Sequence, residues 1–321
     1  MVDVPVTARL YRHPHGITAV DAEHLYPGHA AAHIIEDHGR AAFVDVGTNF
    51  SVPYLLAALD ELGIARAAVD YLLLTHVHLD HVGGAGELLR HLPHARAYLH
   101  PRGAAHLIDP HKLIAGSKLV YGEERFARLY GEFVPLPAAR VHEVRDAERV
   151  TLGARTLELI YTPGHALHHY AVVDAAHRSI FPGDTFGISY RALDTAQGAF
   201  IFPTTTPTQF DPEQLVASIE RMLAYGPESM YLMHFSRVTD VARLGEWLKA
   251  QVRELARMAR THAPAADPAA AIRRDMLKLW LAAAHRHGCR QSDAELAQFL
   301  AGDLDLNTQG LVVWLQREQR A

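Results

Sequence analysis

Residues 75–84 read Thr-His-Val-His-Leu-Asp-His-Val-Gly-Gly and directly follow the apolar run 71–74. Within six residues this stretch holds four side chains of the metal-binding type: His76, His78, Asp80 and His81. Positions i and i+2 do not share a helix face, so His76 and His78 can converge only on an extended turn that leaves a strand. Imidazole and carboxylate are the ligands that zinc and related divalent metals prefer. The stretch therefore predicts a metal site at the end of a buried strand.

Three further strand-like segments also end in a residue that can bind a metal. The segment 155–161 leads to His165, the segment 178–182 leads to Asp184, and the segment 229–232 leads to His234. Each of these residues alone is equally consistent with a structural role. Together with the first stretch they bring seven metal-binding groups to one edge of a sandwich, which is too many for one tetrahedral zinc and suits two metals.

The order of predicted elements indicates an α+β fold. The predicted strands are residues 7–12, 17–25, 31–36, 41–45, 71–74, 96–99, 140–144, 149–152, 155–161, 169–174, 178–182 and 229–232. The predicted helices of this part are residues 51–63 and 85–92, a helical or irregular insertion at 101–134, and a helix that begins at 211–214. Strands followed by helices in this order are typical of a two-sheet sandwich covered by helices.

The last third of the sequence is expected to be helical only. Residues 240–260 predict one long helix, and Pro264 and Pro268 mark a joint before three more helices near 269–286, 292–300 and 307–319. We therefore expect a catalytic domain at 1–262 and a C-terminal helical appendage at 263–321 that supplies no metal ligand. Its apolar helix stripes must be buried against each other, against the sandwich or against a second chain, so a homodimer remains open.

Composition excludes several classes of function. The 321 residues carry 31 Lys and Arg against 36 Asp and Glu, scattered without a basic stripe, so no nucleic-acid partner is expected. The chain has no run of about 18 apolar residues, so no membrane helix is expected. Residues 1–16 contain no apolar core of a signal peptide, and the lone Cys289 suits a reducing compartment. These features favour a cytoplasmic protein that acts on a small molecule.

The seven candidate ligands resemble the ligand set of the metallo-β-lactamase superfamily. The motifs Thr-Pro-Gly-His at 162–165 and Gly-Asp-Thr at 183–185 resemble those of its glyoxalase II-like branch. The resemblance implies a four-layer αββα sandwich, the metallo-β-lactamase fold. It places one metal on His76, His78 and His165. It places a second metal on Asp80, His81 and His234. It makes Asp184 the bridge between them.

Two further residues are candidates for orienting these ligands. Asp45, in the segment 43–47, matches the early Asp-x-Gly motif of the superfamily, where this residue orients the histidine loop. A turn or capping role for Asp45 remains open. His168 follows His165 by three residues and is a second candidate beside the ligands, with a structural role as the alternative.

The resemblance implies a hydrolase in which a hydroxide that bridges two divalent metal ions attacks an ester, thioester or lactone of a small molecule. Zinc is the expected metal, with iron or manganese as alternatives. Asp80 is the candidate catalytic residue, because it is the non-bridging carboxylate and can orient the nucleophile or accept its proton. Tyr190 is a candidate for hydrogen bonding to a substrate carbonyl, as a tyrosine in a similar region does in lactonase relatives; packing in a loop is its alternative role.

Departures from named members of the superfamily narrow the function. True β-lactamases generally lack the bridging aspartate, so Asp184 argues against antibiotic hydrolysis. No glutathione-binding set of the glyoxalase II type aligns with residues 240–321. The main alternative is an oxidoreductase similar to the persulfide dioxygenases, which hold one iron on two histidines and an aspartate. An inactive binding module is disfavoured, because no ligand of the set is missing.

Overall fold

The computed structural model describes residues 6–206 and 208–320, which form two compact units. The first unit holds the described residues up to Tyr161 together with His168–Gly183 and Met230–Arg237. The second unit holds Thr162–Leu167, Asp184–Ser229 and the described residues from Val238 onward. The expectation about a signal peptide concerns residues 1–16, of which the first five lie outside the described residues.

The first unit contains a seven-stranded sheet, whose strands neighbour one another in chain order. The strands are β1 (Leu10–His13), β2 (Ile17–Asp21), β3 (Ala31–Asp37), β4 (Arg40–Val44), β5 (Val69–Leu73), β6 (Arg96–Leu99) and β7 (Val141–Glu143). The strands β1 to β4 pair antiparallel, and β4 to β7 pair parallel. Parallel pairing brings the carboxyl ends of β4 and β5 to the same edge, which is where the predicted metal-binding stretch begins.

The second sheet has six strands in the order β13-β12-β11-β10-β9-β8. They are β8 (Glu148–Leu152), β9 (Arg155–Tyr161), β10 (Tyr170–Asp174), β11 (Ser179–Phe181), β12 (Ser229–Leu232) and β13 (Ser236–Val238). All but β13 were expected from the sequence. The residues of this last strand are Ser, Arg and Val, so it shows no apolar run in the sequence.

The two sheets pack face to face around an apolar core. Ile35, Val44 and Leu73 of the first sheet lie in one buried cluster with Leu159 and Val172 of the second sheet. The other face of the first sheet is covered by helices, whose buried residues form a second cluster with the sheet. The helices of this unit are α1 (Val52–Leu62), α2 (Leu79–Val82), α3 (Ala85–His91), α4 (Pro101–Ile108), α5 (His111–Tyr121) and α6 (Glu123–Tyr130).

Helix α1 shows why the sequence signals located its ends. Pro53 lies in the first turn, and Gly63 ends the helix in the left-handed conformation with φ of 70°. Ser51 precedes the helix as expected, but its hydroxyl donates a hydrogen bond to the carbonyl of Ala22 at 2.6 Å. The expected cap is thus used to attach the helix to the end of β2.

The second unit is mainly helical. Its helices are α7 (Pro212–Leu223), α8 (Val241–His262), α9 (Pro268–Arg286), α10 (Asp293–Phe299) and α11 (Ala301–Glu318). The side chain of Asp211 caps α7 by accepting from the backbone N–H of Gln214 at 2.9 Å. Ser292 and Glu295 form the predicted capping box of α10. Helix α11 begins six residues earlier than expected. Gly302 lies in its first turn and does not interrupt the helix.

The apolar stripes of the C-terminal helices are buried inside this unit. Trp280 of α9 is fully buried, with its ring centroid 4.7 Å from that of Phe202. Trp314 of α11 lies 6.0 Å from Phe210. The chain itself therefore covers these stripes, and a homodimer and a domain boundary at residue 262 both stay predictions. Within residues 6–206 and 208–320, no helix combines the length and apolar character needed to cross a bilayer.

Candidate metal centre

The carboxylate of Asp45 fixes the histidine-rich loop at the edge of the first sheet. Val44 pairs with Leu73, so Asp45 and Thr75 leave the parallel strands β4 and β5 side by side. One oxygen of Asp45 accepts from the Thr75 backbone N–H at 2.8 Å, and the other accepts from the Thr75 hydroxyl at 2.8 Å. Asp45 lies in the left-handed region, with φ of 53°, which turns its side chain towards this loop. Asp45 thus binds the start of the histidine-rich loop, and its role in orienting metal ligands stays a prediction.

Two histidines near Asp80 have their tautomers set by hydrogen bonds. Nδ1 of His81 donates to Oδ2 of Asp45 at 2.8 Å, and Nδ1 of His234 donates to the backbone carbonyl of His29 at 2.9 Å. A neutral imidazole that is protonated at Nδ1 keeps its lone pair on Nε2. Both residues therefore present Nε2 as the atom that can bind a metal, which is how metal-binding histidines are commonly oriented.

Asp80, His81 and His234 form a compact group of three donors within the first unit. One ligand atom from each lies within 4.8 Å of the others. Oδ2 of Asp80 is 3.3 Å from Nε2 of His234 and 3.9 Å from Nε2 of His81. Burial raises the pKa of the Asp80 carboxyl, but His81 and His234 would outweigh this when protonated and lower it well below its usual value. Asp80 is therefore ionised and suited to a cation.

His76 and His78 form a second pair of donors in the same unit. The Thr75 hydroxyl gives its proton to Asp45, so it accepts from Nδ1 of His76, at 3.1 Å. This leaves the lone pair of His76 on Nε2, which lies 2.9 Å from Nδ1 of His78. The ring of His76 is 4.1 Å from the ring of His81. The first unit thus brings five of the seven predicted ligands close together.

The second unit holds the remaining two predicted ligands, His165 and Asp184. Nε2 of His165 lies 3.5 Å from Oδ2 of Asp184. Nδ1 of His165 is 2.7 Å from the hydroxyl of Thr204, whose proton goes to the backbone carbonyl of Asp184 at 3.1 Å. His165 therefore donates from Nδ1 and presents Nε2 on the side of Asp184.

Gly164 explains the glycine that precedes this ligand. Its φ is 126°, and a Cβ at this position would lie 2.2 Å from the backbone nitrogen of Leu215 in α7. Only glycine can adopt this conformation and approach the helix so closely. The Thr-Pro-Gly-His turn is thus fixed against the first turn of α7.

Two histidines after His165 pack near the loop of the first unit. His168, which the sequence placed beside the ligands, is buried, and its Nδ1 accepts from the backbone N–H of Val77 at 3.4 Å. His169 was not singled out, yet it is fully buried with its ring stacked on that of His76 at 4.8 Å. A Cβ on Gly183 would come within 2.5 Å of Nε2 of His169. The doublet at 168–169 was the available signal, and only the packing distinguishes its members.

Sequence reasoning missed that His24 joins two tyrosines of the insertion in a polar and aromatic group on the side of Asp80. His24 stacks on Tyr130 with ring centroids 6.0 Å apart, and Tyr121 lies 5.6 Å from Tyr130. Burial lowers the pKa of His24, and the charge of Asp80 opposes this shift. Burial raises the pKa of both phenols, and the charge of Asp80 adds to the shift. The contact between His24 and Tyr130 joins residues about a hundred positions apart, so no local pattern could reveal it.

Tyr190 lies within the second unit, and its ring is buried against Phe202 and Phe299. Its hydroxyl donates to Oδ1 of Asp303 in α11 at 3.3 Å. A contact with substrate would require this hydroxyl to exchange Asp303 for the substrate. The predicted substrate role of Tyr190 therefore stays a prediction.

The donors suit a divalent metal by their chemistry. They are imidazole nitrogens and carboxylate oxygens, the ligands typical of zinc, iron and manganese sites in proteins. Four of the five histidines have Nδ1 held by an oxygen acceptor, so that Nε2 keeps its lone pair. Such outer contacts fix the ligands before a metal arrives.

Two packed sheets with covering helices, and ligand-type residues at the strand ends, define the class of metallo-β-lactamase folds. The family model of the metallo-beta-lactamase superfamily matches residues 25–234, and the chain belongs to this superfamily. This membership confirms the fold and the family that the sequence predicted.

Relatives and solved structures agree with this assignment. A metallo-beta-lactamase fold-containing protein of Sulfurisphaera tokodaii is 28% identical over 224 residues, covering 68% of this chain and 77% of its own. A hydroxyacylglutathione hydrolase of Aeromonas hydrophila is 30% identical over 202 residues, but the match covers 63% of this chain and only 59% of that enzyme. The structure of a metallo-beta-lactamase family protein from Thermus thermophilus has a TM-score of 0.66 and 22% identity, covering 95% of this chain and 94% of its own. This last likeness concerns the fold alone.

Proposed function

We propose that this protein is a hydrolase that uses two divalent metal ions to cleave an ester, thioester or lactone of a small molecule. Zinc is the metal we propose first. One observation carries the proposal. Asp80, His81 and His234 form a group of three donors, while His76 and His78 form a separate converging pair. The chain thus offers more donors than a single tetrahedral ion needs.

The proposed ligand assignment follows the pattern of the superfamily. His76, His78 and His165 hold one metal, and Asp80, His81 and His234 hold the other. Asp184 is the shared ligand. The histidine tautomers described above support this assignment, because each of the four fixed rings presents Nε2. Asp45 and His168 are proposed to orient the loop that carries the first four ligands.

When bound, a pair of such ions supplies a water of lowered pKa as the nucleophile and a Lewis acid for the carbonyl oxygen. The residues of the chain add proton transfer and binding. Asp80 is the carboxylate that we assign to orient the nucleophile or accept its proton, and its pKa, well below the usual value, favours the orienting role. His24, Tyr121 and Tyr130, which sense the charge of Asp80, are proposed to contact the substrate.

The substrate is proposed to be a small acyl compound. Relatives named hydroxyacylglutathione hydrolase make a hydroxyacylglutathione thioester the first compound to test. The net charge of −5 gives no support for a nucleic-acid partner. A cytoplasmic location is proposed on the single, unpaired and buried Cys289.

The test is metal analysis of the purified protein combined with a screen of thioesters, lactones and phosphodiesters, with oxygen uptake recorded. We expect two metal equivalents and hydrolysis of an acyl substrate without oxygen consumption. One iron per chain, with oxygen consumed in the presence of a persulfide, would establish the dioxygenase alternative. Hydrolysis of phosphodiesters alone would also overturn the proposed substrate class.

A further inference from the structure

Helix α11 is tied to the turn 204–206 by Asn307, which is 1% exposed. The side-chain oxygen of Asn307 accepts from the backbone N–H of Thr205 at 2.5 Å. The Thr205 hydroxyl lies 2.8 Å from that oxygen and 2.9 Å from the backbone carbonyl of Asn307. The Asn307 amide donates back to the carbonyl of Asp303 at 2.8 Å, which fixes which end of the amide faces Thr205. Both ends of this amide side chain therefore have a partner.

The backbone of α11 also approaches this turn closely at Gly310. A Cβ on Gly310 would lie 1.4 Å from the carbonyl oxygen of Thr205. No other residue fits here without moving the helix or the turn. Gly310 and Asn307 are three residues apart and so lie on the same helix face. The helix therefore presents a surface built to receive Thr205.

The turn held in this way carries Thr204, which contacts His165. Thr204 is buried, and its hydroxyl accepts from Nδ1 of His165 at 2.7 Å while it donates to the Asp184 carbonyl at 3.1 Å. Because the Thr204 hydroxyl has a single proton, this geometry favours protonation of His165 at Nδ1, which also lies 3.4 Å from the Thr206 hydroxyl of the same turn. The position of Thr204 thus controls which atom His165 can offer to a metal.

We propose that Asn307 is a positioning residue for the metal site. By holding Thr205, it places the adjacent Thr204 hydroxyl so that His165 keeps its Nε2 lone pair for a metal. The C-terminal helical region thereby acts on a metal ligand although it supplies none itself. This inference rests on the proposed role of His165 as a metal ligand.

The experiment uses the full-length protein and compares Asn307→Ala with Thr308→Val. Thr308 is the next residue of α11, is also buried, and its hydroxyl makes no hydrogen bond within the described residues, so it is a matched control. The readouts are zinc affinity by chelator competition and the absorption spectrum of the Co²⁺-loaded protein. Loss of an outer contact typically lowers metal affinity by about 10–100-fold. We expect Asn307→Ala to lower the affinity for one of two zinc ions by about tenfold and to change the Co²⁺ absorption spectrum. Thr308→Val should change neither the zinc affinity nor the spectrum.

A second pair of variants keeps the test decisive if Asn307→Ala does not fold. Thr205→Val removes the hydroxyl that donates a hydrogen bond to Asn307, and Thr205→Ser retains it. We expect weakened binding of one zinc in Thr205→Val and wild-type binding in Thr205→Ser. Equal zinc affinity and an unchanged Co²⁺ spectrum in Asn307→Ala or Thr205→Val would overturn the inference. His165→Ala separates the two proposals: if it loses no zinc, the ligand assignment fails, and if it loses one zinc while Asn307→Ala keeps wild-type zinc affinity, only the positioning role fails.

Discussion

Nδ1 of His81 and Oδ2 of Asp45 lie 2.8 Å apart, and the side chains are 0% and 3% exposed. The same Asp45 carboxylate accepts both hydrogen bonds of Thr75, the residue that opens the histidine loop. One buried side chain therefore sets the path of the loop, the tautomer of His81 and, through the Thr75 hydroxyl, the tautomer of His76.

The first prediction follows from this contact. In Asp45→Asn, the amide that replaces Oδ2 is a donor, so it repels the Nδ1 proton of His81 and favours the tautomer with the proton on Nε2. We expect zinc affinity to fall by about 10–100-fold, as it does when the outer partner of a metal-binding histidine is lost. Zinc titration against a chelator measures this.

Asp174→Asn is the matched control for Asp45→Asn. Asp174 is also a fully buried carboxylate, but it pairs with Arg155 at 3.0 Å and with His177. It should lower the melting temperature and leave zinc affinity unchanged. Equal zinc affinity in the two variants would show that the contact between Asp45 and His81 has no influence on the metal.

The second prediction concerns the proposed bridge. Asp184→Ala should lose at least one metal and nearly all turnover with the fold largely intact. The Thr204 hydroxyl bonds to the backbone carbonyl of Asp184, not to its side chain, so the local structure survives the substitution. Metal analysis, turnover and circular dichroism check this. A variant with both metals and wild-type turnover would rule out Asp184 as the bridge. Asp80→Asn should keep the fold and give a milder loss of turnover.

The third prediction concerns stability in acid. His33 is 2% exposed between Phe181 and Tyr231, and burial lowers its pKa to about 3. The unfolded chain binds this proton near pH 6.5, so between about pH 6.5 and 3 the unfolded state holds more protons and stability falls as pH falls. The neutral form contributes its full stability above this window.

His33→Leu should therefore reduce the loss of stability in acid. We expect the slope of unfolding free energy against pH to decrease by up to about 1.4 kcal/mol per pH unit below about pH 6. Urea unfolding at several pH values measures the slope. His38→Gln is the control, since that side chain is 73% exposed. An acid slope that His33→Leu leaves unchanged would mean that His33 is already protonated in the folded protein.

The candidate metal-binding stretches could be recognised in the sequence because each follows an apolar strand directly. The run from His76 to His81 and the turn before His165 are local patterns, and the structure places them at strand ends as expected. Asn307 and His24 could not be found in this way. Asn307 meets Thr205 across about a hundred residues, and His24 meets Tyr130 across a similar span, so only the folded chain brings these pairs together.

Local sequence patterns also predicted most of the fold. The differences between the predicted and the observed elements have physical causes. The strands up to β12 lie in segments with alternation or apolar runs, whereas β13 has a single apolar residue, Val238, and lies at the edge of its sheet. The apolar stripes around Trp280 and Trp314 predicted burial correctly, but amphipathicity does not identify the partner surface. Here the partners include Phe202 and Phe210 of the same chain.

The most direct test of the central claim is the zinc content of the reconstituted protein, compared with that of His234→Ala. Metal-free protein is loaded with excess zinc, desalted and measured by mass spectrometry of the metal and by amino-acid analysis. The account predicts two zinc ions per wild-type chain and one in His234→Ala, because Asp80, His81 and His234 form a site of their own. One zinc per wild-type chain, unchanged in His234→Ala, would contradict it.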